Sequence, residues 1–121
     1  MSPTVRVLIV DGSQESRDVL SSLLTRRGAE VLEARETSRG AQLADAEHPD
    51  LIVVDVEDRQ CVCEDSAARL VAAAARNDSP IVVLGSIKRG ASPWPTSEFV
   101  AKPYQYSELI RRIEELLGSR R

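Results

Sequence analysis

Three short apolar runs, each ending in a charged residue, constrain the fold of this chain more than any other feature. The runs read VRVLIV before Asp11, LIVV before Asp55 and FVA before Lys102. Runs of this length, rich in β-branched residues and separated by helical patterns, are typical of buried parallel strands. Because ligands of open α/β sheets bind beyond the carboxyl ends of the strands, two carboxylates and one ammonium are predicted to meet at one rim. Such a group can hold a divalent cation and a phosphoryl group.

The rest of the pattern predicts one domain over residues 1–121, built from five β-α units. Alternating strands and helices give a parallel sheet covered on both faces. Since crossovers are right-handed, the simplest arrangement is a doubly wound, flavodoxin-like sheet of five strands in the order 2-1-3-4-5. Two glycines and two prolines within residues 85–96 exclude a normal helix there. The fourth helix, between the fourth and fifth strands, is therefore predicted to be short or missing.

Local signals predict where several helices begin and end. Ser13 is expected to cap the first helix, and Gly28 suits the left-handed position after it. Thr37 or Ser38 is expected to cap the second helix. Arg17, in the first helix, is interpreted most simply as a solvated residue.

Composition excludes several classes of function. The net charge of -3 and the pI near 5.2 argue against direct binding of nucleic acid. Membrane insertion is not expected, because no apolar run approaches the roughly 20 residues of a membrane span. The first residues do not resemble a signal peptide, so a cytoplasmic location is expected. Cys61 and Cys63 are interpreted as reduced thiols in a loop, since a metal site would need two further ligands.

Taken together, the pieces of this sequence resemble the receiver domain of bacterial response regulators over nearly the whole chain. They are VLIVD ending at Asp11, Arg17 six residues later, PDLIVVD ending at Asp55, PIVVL ending at Leu84, and VAKPY around Lys102. Each piece alone is a weak signal. Their order and spacing make the resemblance specific.

The resemblance implies a role for each matching residue. Asp55 would accept a phosphoryl group from a sensor histidine kinase or a phosphotransfer protein, and a downstream protein partner would read the result. Mg²⁺ would be held by Asp11, by Asp55 and by the backbone carbonyl of Glu57. Lys102 would contact the phosphoryl group. The chain itself would be a signalling module and not an enzyme.

The sequence also departs from the family pattern. Gly12 stands where the family has the second acid of an adjacent pair, so weakened binding of Mg²⁺ is predicted. Gly85 stands where the family has a hydroxyl after the fourth strand, and Ser86 is the candidate to replace it. Phe99 matches the aromatic switch residue. Gly85 and Phe99 are thus the candidate switch positions.

Three alternatives remain open from the sequence. Asp11, Asp55 and Lys102 could form a structural charge cluster that binds no ligand. The chain could be a pseudo-receiver that binds proteins without phosphorylation, with Trp94 either packed on the sheet edge or exposed to a partner. A small enzyme on a flavodoxin-like fold is a remote alternative, because no glycine-rich phosphate loop follows the first strand.

Overall fold

The computed structural model describes residues 4–56, 63–85 and 99–118. Within these residues the chain alternates between strands and helices, as the apolar runs predict. The elements are β1 (Arg6–Val10), α1 (Gln14–Arg26), β2 (Glu30–Ala34), α2 (Thr37–Glu47), β3 (Leu51–Asp55), α3 (Glu64–Asn77), β4 (Ile81–Gly85), β5 (Phe99–Ala101) and α4 (Tyr106–Gly118).

The five strands form one parallel sheet in the order β2-β1-β3-β4-β5. This order confirms the predicted doubly wound, flavodoxin-like arrangement. Val10, the last residue of β1, pairs with Ala34 on one side and Val54 on the other. Asp11 and Asp55, each one residue further along, therefore emerge side by side at the carboxyl end of the sheet. Strands in a sheet lie about 4.8 Å apart.

The apolar runs become strands because both faces of the sheet are covered by helices. Every residue of β3 and β4 is buried, and so are the last four residues of β1. Helices α2 and α3 cover one face and bury Leu8, Val10 and Val54. Helices α1 and α4 cover the other face and bury Val7, Ile9 and their neighbours. Two-sided burial explains why these strands are continuously apolar and do not alternate.

Helix α2 approaches the sheet closely beneath the site end of β1. Its buried residues are small, and Gly40 lies against Val10 and Leu70. A Cβ atom added at Gly40 would lie 2.8 Å from Val10 Cγ2, which is closer than real Cβ contacts allow. The sequence signal for this helix is therefore weak, because its packing selects small residues over strong helix formers.

The predicted ends of the first helix are confirmed. Ser13 is the N-cap of α1, and its side chain accepts a hydrogen bond from the Ser16 amide at 3.2 Å. Gly28 follows the helix with φ of +89°, a conformation that glycine adopts without a steric penalty.

The predicted cap of the second helix is wrong. Glu36 is the N-cap of α2, without a side-chain hydrogen bond, and Thr37 is the first helical residue. The hydroxyl of Thr37 is buried and bonds to Ser66 of α3. The Thr37 side chain, which the local pattern assigned to the helix cap, is therefore used in a tertiary contact with α3.

Several predictions fall on residues outside the described ranges. The short or missing fourth helix, Ser86 and Trp94 belong to residues 86–98, and Glu57 and Cys61 belong to residues 57–62. In the part of the chain that the structure describes, no helix is long and apolar enough to cross a membrane.

Candidate functional site

The structure brings Asp11, Asp55 and Lys102 together at the carboxyl end of the sheet, as the strand ends predict. Lys102 Nζ forms a hydrogen-bonded ion pair with Asp55 Oδ2. Lys102 follows β5, so its side chain reaches past the end of β4 to do this. Its backbone amide donates to the Gly85 carbonyl at 2.9 Å, which fixes the start of the side chain. Asp55 is 5% exposed, whereas the Lys102 side chain is 34% exposed.

Asp11 is held by hydrogen bonds at three of its four polar atoms. Its amide donates to the Ala34 carbonyl at 3.0 Å, and its Oδ1 accepts from the Ser13 amide at 2.9 Å. Its carbonyl accepts from Arg17 Nη1 at 2.6 Å. Its Oδ2 is buried and, within the described ranges, accepts no hydrogen bond. A buried carboxylate oxygen of this kind costs stability unless a cation or a donor completes it.

The pKa of Asp11 reflects this arrangement. Burial raises the pKa above the ordinary value of 3.8, and the nearby Asp55 carboxylate raises it further. The Ser13 amide, Lys102 and Arg17 oppose the rise. The carboxyl is thus more costly to ionise here than in water, and a bound divalent cation would reverse that cost.

Arg17 is not the solvated residue that the sequence suggested. It is 8% exposed and bonds to the Asp11 carbonyl and to Glu33, whose Oε1 lies 3.3 Å from Arg17 Nε. Arg17, Leu20 and Leu24 are the buried residues of α1. Their spacing of three and four is the helical signal that could have shown Arg17 on the inward face.

A buried hydroxyl pair, also missed from the sequence, joins the helices that begin beside the site. Thr37 Oγ1 and Ser66 Oγ lie 2.5 Å apart, and both residues are almost fully buried. Thr37 also accepts from the Cys63 amide at 3.1 Å, while Ser66 donates to the Cys63 carbonyl at 3.1 Å. These bonds tie the start of α2 to the start of α3.

Cys63, at the N-cap of α3, is a free and exposed thiol. The backbone amides of Ser66 and Asp65 lower its pKa. Such lowering is expected for a thiol at a helix N-terminus.

Tyr104 stands beside the site and was not singled out from the sequence. Burial, Tyr106 and the Asp55 and Asp11 carboxylates all raise its pKa, so its hydroxyl stays protonated. Its ring meets that of Tyr106 edge to face, with centroids 5.6 Å apart. Both rings are partly buried and pack against the core beneath α1 and α4.

The two candidate switch residues flank the end of β4. Gly85 is the last residue of β4 and pairs with Ala101, while Phe99 pairs with Val83. Phe99 is partly buried and packs against the core beneath α2 and α3. Their switching role stays a prediction, as do the roles of Glu57 and Ser86 outside the described ranges.

The donors at the site suit a hard cation that keeps several waters. Two carboxylates converge there, and no described residue donates a hydrogen bond to Oδ2 of Asp11. Mg²⁺ is commonly bound through one or two carboxylates with water in the remaining positions. Among the described residues no group of three His, Cys, Asp or Glu side chains could enclose a metal ion. The residues present therefore fit a partly hydrated Mg²⁺ better than a fully protein-bound metal.

Comparison with known proteins supports the class that the fold and site define. No family model matches the chain. It is 28% identical over 128 residues to the chemotaxis protein CheY of Bacillus subtilis, covering 93% of this chain and 98% of CheY. It is 30% identical over 115 residues to the transcriptional regulatory protein PdtaR of Mycobacterium tuberculosis, covering 90% of this chain and 55% of PdtaR. The chain spans about half the length of most of the curated relatives it matches.

A solved structure shows the same fold. The receiver domain of the sensor histidine kinase PA1611 from Pseudomonas aeruginosa, with a magnesium ion in its active-site cleft, superposes with a TM-score of 0.77. The match covers 96% of this chain and 99% of that domain, at 20% identity. The chain therefore has the fold of a receiver domain, and in sequence it is similar to regulators of the response-regulator class. Its relatives are regulators, which confirms the prediction that it is a signalling module and not an enzyme.

Proposed function

We propose that the chain is a phosphoacceptor receiver in which Asp55 takes a phosphoryl group from a phosphohistidine. The observation that carries this proposal is the meeting of two buried carboxylates, Asp11 and Asp55, with the ammonium of Lys102. Such a group is costly in a purely structural role, because burial and the nearby Asp55 carboxylate both raise the cost of ionising Asp11.

In the proposed reaction, an oxygen of the Asp55 carboxylate attacks phosphorus in line with the bond to the donor nitrogen. The new O–P bond forms as the N–P bond breaks, and the imidazole leaves with its electron pair and takes up a proton. Lys102 is positioned to move from the Asp55 carboxylate to the transferred phosphoryl oxygens, because its ammonium already lies at that carboxylate. Phosphoryl transfer depends mainly on this kind of positioning and charge neutralisation.

Asp11 and Asp55 would hold Mg²⁺, which supplies positive charge to the phosphoryl oxygens when it is bound. Asp11 would contribute Oδ2, since Oδ1 is occupied by the Ser13 amide. With Gly12 in place of a second acid, water would have to supply that ligand, and binding would be weaker. We further propose a sensor histidine kinase or phosphotransfer protein as donor, and a protein as the downstream partner.

The test is intact-mass spectrometry after incubation with Mg²⁺ and acetyl phosphate. The expected result is a gain of one phosphoryl group, absent from Asp55→Ala and from samples containing excess EDTA. Asp45→Asn, which changes an exposed carboxylate paired with Arg76, is the matched control and should react like the native chain. No gain at any Mg²⁺ concentration would overturn the proposal.

A second candidate function is a pseudo-receiver that binds protein partners without phosphorylation. Gly12 favours it, together with the lack of a three-ligand metal cluster among the described residues. It predicts that partner binding is the same for the native chain and for Asp55→Ala. A partner that binds only the phosphorylated chain would contradict it.

A further inference from the structure

We infer that Arg17, with Glu33, is a positioning residue that directs Oδ2 of Asp11 toward the cation of the proposed phosphoacceptor site. This inference rests on the proposed function, because it concerns how that site holds its metal ion. Arg17 forms hydrogen bonds with Asp11 and Glu33. Its effect is exerted through the backbone of Asp11.

Asp11 is restrained by hydrogen bonds with three neighbours. The Ala34 carbonyl, the Ser13 amide and Arg17 each bind a different polar atom of Asp11. Among the described residues, Oδ2 is the one polar atom of Asp11 left without a partner, and it is buried. The side chain therefore has one open ligand atom in a fixed direction, which is the preorganisation that a weak metal site needs.

The residue that follows Asp11 offers no restraint of this kind. Gly12 is exposed and brings no side chain that could anchor the turn between β1 and α1. The turn is anchored instead by Arg17, in the first turn of α1, whose guanidinium donates to the Asp11 carbonyl at 2.6 Å. A charge-assisted bond of this kind is roughly twice as strong as one between neutral groups.

Arg17 itself is buried and paired. The Arg17 side chain is 10% exposed, so its charge is costly unless it is paired. Glu33, on the edge strand β2, accepts from Nε and so orients the planar guanidinium. One end of the guanidinium is thus fixed on β2 and the other on Asp11, and the carboxyl ends of two strands are joined by one side chain.

A positioning role of Arg17 and the repulsion by its charge predict opposite changes in cation affinity when Arg17 is replaced. A positive charge behind Asp11 repels a divalent cation, so its loss alone would tighten binding. Loss of positioning would weaken binding, because Asp11 would have to be ordered by the cation itself. Partners of metal-binding carboxylates typically change metal affinity 10- to 100-fold when mutated.

The test is titration with Mn²⁺, with the free ion followed by electron paramagnetic resonance, on Arg17→Met and Arg17→Lys. Arg17→Met is expected to weaken binding about tenfold. Arg17→Lys keeps the charge but cannot bond to Asp11 and Glu33 at once, so about threefold weakening is expected. Arg26→Met, an exposed arginine at the end of the same helix, should stay within about twofold of the native chain.

Unchanged or tighter binding by folded Arg17→Met would overturn the inference. Circular dichroism establishes whether each variant is folded. If Arg17→Met is not folded, equal Mn²⁺ affinity of Arg17→Lys and the native chain overturns the inference. Asp11→Asn separates this outcome from failure of the proposed function. Loss of Mn²⁺ binding in Asp11→Asn with normal binding in Arg17→Met rejects only the role of Arg17. No Mn²⁺ binding by the native chain rejects both.

Discussion

The charged groups at the two ends of the sheet differ in their exposure to solvent and in their pairing. At the amino end, Arg6 Nε lies 2.8 Å from Glu30, Arg6 Nη1 lies 3.3 Å from Glu47, and the Arg6 amide donates to Asp50 at 2.9 Å. The Arg6, Glu30 and Glu47 side chains are 42%, 50% and 42% exposed. At the carboxyl end, Asp11 and Asp55 are buried, and Asp11 Oδ2 accepts no hydrogen bond from the part of the chain that the structure describes.

This difference separates the charges that stabilise the fold from those that are candidates to bind a ligand. Exposed ion pairs are screened by water and contribute little in either direction. Buried carboxylates with an incomplete set of donors lower stability, and they persist where a ligand or a reaction needs them. Substitutions at the two ends should therefore differ in sign as well as in size.

The largest expected effect is that of Asp11→Asn on cation binding. The change removes one of two carboxylates and leaves no ionised oxygen at the Oδ2 position, so Mn²⁺ affinity should fall by about a hundredfold or more. Equilibrium dialysis against Mn²⁺ measures this, with Asp45→Asn as control. An affinity within a few-fold of the native value would show that the two ends of the sheet do not differ in this respect.

The next effect concerns packing directly below the site end. In Gly40→Ala the added methyl would meet Val10 Cγ2, and the overpacking should outweigh the better helix propensity of alanine, for a net loss of about 2 kcal/mol. Urea unfolding measures the loss. Gly118→Ala is the control, because nothing lies within 4 Å of its added methyl. Equal stability of the two variants would mean that α2 can move away from the sheet.

The pH dependence of stability should show how much free energy is lost by burying the ionised carboxylate of Asp11. Because the folded state has the raised pKa, it binds more protons than the unfolded state between the ordinary value of 3.8 and the raised one. The contribution of Asp11 to the free energy of unfolding therefore decreases as pH rises through that window. Without divalent cations, Asp11→Asn should be about as stable as the native chain near pH 3, and more stable by roughly 1 kcal/mol at pH 7.

Thermal unfolding in EDTA at a series of pH values measures this difference. The native chain and Asp11→Asn are compared at each pH, so that the contributions of the other carboxylates cancel. A difference that does not grow between pH 3 and pH 7 would contradict the assignment of the cost to Asp11.

A smaller effect is expected for the buried hydroxyl pair that joins α2 to α3. Thr37→Val leaves the Cys63 amide without its acceptor and removes one of the two hydrogen bonds of the Ser66 hydroxyl, and it should cost about 1 kcal/mol. Ser66→Ala should cost a similar amount, and the double variant less than the sum, because the two hydroxyls share one bond. Chemical unfolding of the three variants gives the coupling. Strict additivity would show that the hydroxyls act independently.

The smallest effect is expected at the amino end. Arg6→Met should cost about 0.5 kcal/mol at low salt and less at high salt, with Mn²⁺ affinity unchanged. Urea unfolding at two ionic strengths tests this. A large, salt-independent loss would remove the contrast between the two ends of the sheet.

The sequence by itself determined the layers, the strand order and the meeting of three charged residues at one rim. It did so because continuous apolar runs must be buried on both faces, and because parallel strands align their carboxyl ends. Asp11, Asp55 and Lys102 were predicted for that reason. The cap at Ser13 and the left-handed Gly28 were predictable because they depend only on neighbouring residues.

Only the tertiary structure decided which polar side chains lie inside and what they bind. Arg17 and Thr37 were assigned to solvent and to a helix cap, yet both are buried with partners 16 and 29 residues away in the sequence. A local pattern cannot contain such partners, because they meet only when separate helices pack on the sheet. The open Oδ2 of Asp11 is of the same kind, since it depends on the hydrogen bonds made by every neighbouring element.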